Sequence, residues 1–121
     1  MSGAKFDRRF QLWQYDVSHS ELLFRAVESN GGAPRIDLLF KGVASMSLPV
    51  VMNIQSVSQT GPGKFEIQHD GGVAVVDAVA AFWLQDDLPY YEPSQLADGF
   101  VTHDFDRART DIPVHSIAMV N

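Results

Sequence analysis

Residues Val73 to Gln85 read VAVVDAVAAFWLQ, and whether this run is extended or helical decides the fold class of the chain. It is long and Ala-rich enough to be a buried helix. Its β-branched valines and the Asp70-Gly71-Gly72 hairpin signal just before it favour extended chain. Read as a strand, Val73 to Leu84 is apolar on both faces. Val76, Ala78, Ala80, Phe82 and Leu84 oppose Val73, Val75, Val79, Ala81 and Trp83, so cover is required on both sides.

Upstream, Phe65, Ile67 and His69 alternate with Lys64, Glu66 and Gln68, which makes the hairpin partner. Gly61-Pro62-Gly63 is a turn that ends a weaker strand, Val50 to Thr60. Arg35 to Lys41 shows the cleanest two-residue period, with Ile36, Leu38 and Phe40 inward and Arg35, Asp37 and Lys41 outward. Gly42 interrupts it, and the phase resumes at Val43, Met46 and Leu48, which predicts a bulge or bend rather than a chain reversal.

Glu21 to Glu28 places Leu22, Phe24 and Ala26 toward a core, and Ser29 to Pro34 is a loop. The first strand is Phe10 to Val17, with Trp13, Tyr15 and Val17 on one face and Phe10 and Leu12 on the other. Downstream, Asp86 to Pro93 reads as loop, Pro93 to Ala97 as one helical turn, Val101 to Asp111 as irregular and Pro113 to Val120 as an edge strand. Neither an internal repeat nor a linker composition divides the chain. The expectation is one mainly β domain over residues 1–121, an antiparallel sandwich or partly open barrel of six to seven strands with at most one short helix.

A chain of 121 residues with 45% apolar and 20% charged residues suits one globular core. It has no cysteine, which removes disulfides, thiolate metal sites and a Cys nucleophile. No apolar run approaches the roughly 18 to 20 residues of a membrane span, and no h-region follows Met1, so a cytoplasmic location is the default. The net charge of −6 is uneven: residues 1–60 hold six bases and five acids, residues 61–121 three bases and ten acids. Asp70, Asp77, Asp86, Asp87, Glu92, Asp98, Asp104 and Asp106 span an interval without Lys or Arg. Such a field repels nucleic acid and anionic lipid.

Catalytic patterns are weak. His19, His69, His103 and His115 are the groups suited to proton transfer near neutrality, yet none stands in a metal-binding or zinc-hydrolase spacing. His19, between Ser18 and Ser20, reads as a turn residue bonded to nearby backbone, and no nucleophile-elbow motif exists. His103, Asp104 and Asp106 read as a solvated loop, Asp86 and Asp87 as charged turn residues, and Gly61 to Lys64 lacks phosphate-loop spacing. No cofactor is implied. A pocket lined by Trp13, Tyr15 and Trp83 with His69 at its mouth is the alternative that would make the chain a ligand-binding barrel or a small enzyme.

The segment LPYYEP, Leu88 to Pro93, sets Tyr90 and Tyr91 beside Asp86, Asp87 and Glu92, a combination suited to a basic protein partner. Outward apolar residues of Val73 to Leu84, or an edge strand, would serve a homodimer, which can coexist with such a partner.

Three stretches carry a resemblance: FQLWQYDVSHSELLFRA at Phe10 to Ala26, RIDLLFKGVASMSLP at Arg35 to Pro49, and FWLQDDLPYYEPSQL at Phe82 to Leu96. They resemble small uncharacterised bacterial proteins. The Asp-Leu-Leu-Phe-Lys-Gly-Val strand with a second apolar strand after it also looks like the small β immunity proteins of bacterial toxin systems. That likeness implies a non-catalytic cytoplasmic inhibitor that sets acidic groups against a basic toxin, and it brings no catalytic residue.

Overall fold

The computed structural model describes residues 3–26, 34–86, 96 and 114–117. These form nine strands and, among the described residues, no helix. The strands are β1 (Gly3–Asp16), β2 (Glu21–Ala26), β3 (Arg35–Lys41), β4 (Ser45–Ser47), β5 (Val51–Gly61), β6 (Lys64–His69), β7 (Gly72–Asp77), β8 (Ala80–Asp86) and β9 (His115–Ile117). They make one antiparallel sheet in the order β4-β7-β6-β5-β1-β2-β3-β8-β9, which is not closed. Nine strands replace the expected six or seven. The helical turn expected at Pro93 to Ala97 and the irregular Val101 to Asp111 lie outside the described residues, Leu96 excepted.

The difference in number comes from corners. Val73 to Gln85 is extended, but it is two strands that meet at Ala78 and Val79. Before the corner the even residues Ala74 and Val76 face the core, opposite Ile67 and Phe65; after it the odd residues Ala81 and Trp83 do, opposite Phe40 and Leu38. A change of phase thus accounts for a run that is apolar on both faces. β3 and β4 turn the matching corner at Gly42, so β3–β8 and β4–β7 are one long ribbon bent in the middle. The ladder carries through the bend: the Val79 amide donates to Lys41 O at 2.9 Å and the Ala44 amide to Asp77 O at 2.7 Å. The bend expected at Gly42 is present. Corners of this kind let a single ribbon wrap around a core.

Gly42 is required where it stands. Its φ is +65°, and a Cβ built there would lie 2.6 Å from Val79 Cγ2 and 2.9 Å from Val79 Cβ. Gly42→Ala therefore meets both left-handed backbone strain and a collision with the opposite strand of the corner. A loss of about 1–3 kcal/mol in urea unfolding is expected. No measurable loss would mean that the corner opens freely.

The sheet curls so that one face encloses the main core. Leu22, Phe24, Ala26, Ile36, Leu38 and Phe40 from β2 and β3 join Phe10, Met52, Ile54, Phe65, Ile67 and Val76 from the other half. Contacts across the core show the curl: Phe40 of β3 meets Phe65 of β6 edge to face at 5.7 Å, and β9 touches β5. Two bulges bend β1, one between Lys5 and Arg8, where Asp7 has a φ of 56°, and one between Leu12 and Gln14. The second places Tyr15 opposite Leu22, in the core-side phase, while Trp13 packs on the reverse face. Trp13, Tyr15 and Val17 do not share a face; Val17 belongs to the turn. β1 also begins at Gly3, well before Phe10. His115–Ile117 supplies the edge strand expected near the C-terminal end.

Candidate functional site

The reverse face of β2, β3 and β8 departs most from expectation. Arg35, Asp37 and Lys41 alternate with the core residues as expected, yet Arg35 and Asp37 are buried instead of solvated. Cross-strand register sets Arg25 opposite Asp37 and Arg35 opposite Asp86. Each arginine grips its carboxylate with a two-pronged fork. Arg25 Nε and Nη2 donate to Asp37 Oδ1 and Oδ2 at 2.6 and 3.0 Å, and Arg35 Nε and Nη2 donate to Asp86 Oδ1 and Oδ2 at 2.5 and 3.1 Å. Further along the β2–β3 ladder, Lys41 Nζ lies 3.5 Å from Glu21 Oε2. Trp13 covers the Arg25 guanidinium at 5.0 Å from its ring centroid, and Trp13 and Leu96 pack on Leu23 and Leu39 beside it.

Among the described residues the layer sets three bases, Arg25, Arg35 and Lys41, against three acids, Asp37, Asp86 and Glu21. Each fork ties two neighbouring strands together across the ladder. Sequence reasoning missed this layer, although a signal existed. Arg25 and Asp37 stand six residues on either side of Gly31, and Glu21 and Lys41 stand ten, as a hairpin centred there requires.

Asp86 must be corrected with it. It is the last residue of β8, buried and ion-paired, and is neither a charged turn residue nor part of an exposed acidic surface. Asp87, Tyr90, Tyr91 and Glu92, the other residues singled out for partner binding, lie outside the described residues, as do His103, Asp104 and Asp106.

The four pocket residues are not brought together. Trp13 lies on the reverse face, whereas Trp83 belongs to the core side, stacked on His115 at 4.3 Å and edge-on to Phe6 at 5.2 Å. Tyr15 is at the far end of β1, partly exposed beside the β1–β2 turn. His69 ends β6, where its Nδ1 accepts the Gly71 amide at 3.0 Å and lies 3.7 Å from Asp70 Oδ1. That imidazole closes a hairpin turn.

The β1–β2 turn gathers Asp16, Ser18 and His19, three residue types found in hydrolase triads, but in the wrong order. Ser18 Oγ donates directly to Asp16 Oδ1 at 2.8 Å, and His19 Nδ1 meets both Asp16 Oδ2 and Ser18 Oγ at 3.0 Å. The serine proton goes to the carboxylate, and the histidine relays nothing. His19 thus bonds to side chains, not to backbone as expected. The Ser18 hydroxyl, chiefly, and His19 hold the Asp16 carboxyl below its usual range, with desolvation opposing them.

Asp77, beside the ribbon corner, is the second shifted carboxylate. Ser45 Oγ donates to its Oδ2 at 2.7 Å and Lys64 Nζ lies 3.5 Å from its Oδ1. The Ser45 bond is the main cause of its lowered pKa; desolvation opposes it and Lys64 adds to it. A carboxylate with a depressed folded-state pKa adds stability above its unfolded pKa, and that stability is lost as pH falls through the folded value. Asp77→Asn is therefore expected to be less stable than the parent at neutral pH and to converge with it once the pH falls below the lowered folded-state pKa of Asp77. Urea unfolding at several pH values checks this; a deficit independent of pH would assign the effect to packing.

Among the described residues no three His, Asp or Glu side chains gather as metal ligands, and no helix is long and apolar enough to cross a membrane. No family model, curated protein or solved structure matches the chain.

Proposed function

We propose that this chain is a non-catalytic protein-binding module, of the immunity type its sequence resembles, whose partner is basic and meets the acidic, tyrosine-bearing stretch after β8. In this reading the curled sheet works as a partly open barrel, a rigid support for that stretch. The observation that carries the proposal is the charge balance, fifteen acids against nine bases, with no Lys or Arg between Asp70 and Asp106. Among the described residues, Arg25, Arg35, Lys41 and Lys64 are engaged with Asp37, Asp86, Glu21 and Asp77 on the strands. Each of those pairs is neutral, so the excess of fifteen acids over nine bases stands undiminished. Opposite charge of that excess speeds encounter with a cationic surface. Asp86 is the buried anchor at the start of the stretch, and Asp87, Tyr90, Tyr91 and Glu92 are the contact residues.

The test captures partners from a bacterial lysate on the intact chain and measures association rates for each purified partner. Expected are basic proteins whose association slows at least about tenfold between roughly 0.01 and 1 M ionic strength. Asp87→Asn with Glu92→Gln should lower that salt dependence while circular dichroism stays unchanged. Anionic partners alone, or rates indifferent to salt, overturn the reading.

Self-association has one supporting observation, the exposure of Val73, Val75 and Val79 on β7 and at the corner. Light scattering that gives the monomer mass at every concentration removes it. The ligand-pocket reading loses support because Trp13 and Trp83 face opposite sides of the sheet.

A further inference from the structure

We draw no further inference here: the strongest candidate, the buried charged layer of Arg25, Asp37, Arg35 and Asp86 on the reverse face of β2, β3 and β8, carries nothing because, apart from Trp13 over Arg25 and Leu96 beside it, nothing among the described residues shows what covers it.

Discussion

Arg25→Met is expected to destabilise the protein by about 3–5 kcal/mol, among the largest losses available to a single substitution. The change removes both donors that hold the Asp37 carboxylate, which has no exposed surface and would be left as a charge out of reach of water. The size of the loss reports that stranded charge rather than the worth of the pair. Replacing both partners, Arg25→Met with Asp37→Leu, is expected to recover most of it, since two apolar side chains of similar volume avoid the desolvation of either ion. Urea unfolding of parent, single and double variants separates the terms. A single variant within about 1 kcal/mol of the parent would mean that water reaches the pair.

Phe40→Ala is expected to cost a comparable amount, about 3–5 kcal/mol, for an unrelated reason. Phe40 is fully buried, and its ring meets Phe65 edge to face across the core. The two residues belong to strands separated in the sheet by β5, β1 and β2. Truncation would leave a cavity where the two halves of the curl touch, and rigid strands on either side collapse into it poorly. Phe40→Leu, which keeps most of the volume, should lose under half as much. Equal losses for the two variants would show that ring geometry, and not filled space, is what that position supplies.

Much of the core could be read from alternation alone. Leu22, Phe24, Ala26, Ile36, Leu38, Phe40, Phe65 and Ile67 point inward as their two-residue period predicts. The bend at Gly42 was legible because glycine breaks a pattern that then resumes. The matching corner at Ala78 and Val79 was not, since small and β-branched apolar residues suit a strand and a corner equally. Periodicity also says only which face of a strand is the more apolar. It cannot distinguish a charge in water from one buried against its partner, so Arg35, Asp37 and Asp86 looked solvated until register paired them. The extension of β1 back to Gly3 was hidden for a similar reason: bulges shift the phase in AKFDRRF and erase the alternation. The proposed contact surface was legible only as composition, a run of carboxylates with two tyrosines.

Among the described residues the sheet begins with β4 and ends with β9, each three residues long. A growing fibril needs a long, flat row of vacant amides and carbonyls to copy, and among the described residues neither border strand offers more than a stub. For a chain so dominated by extended backbone, keeping its borders this short restrains stacking into insoluble aggregates, and it does so without cysteine crosslinks.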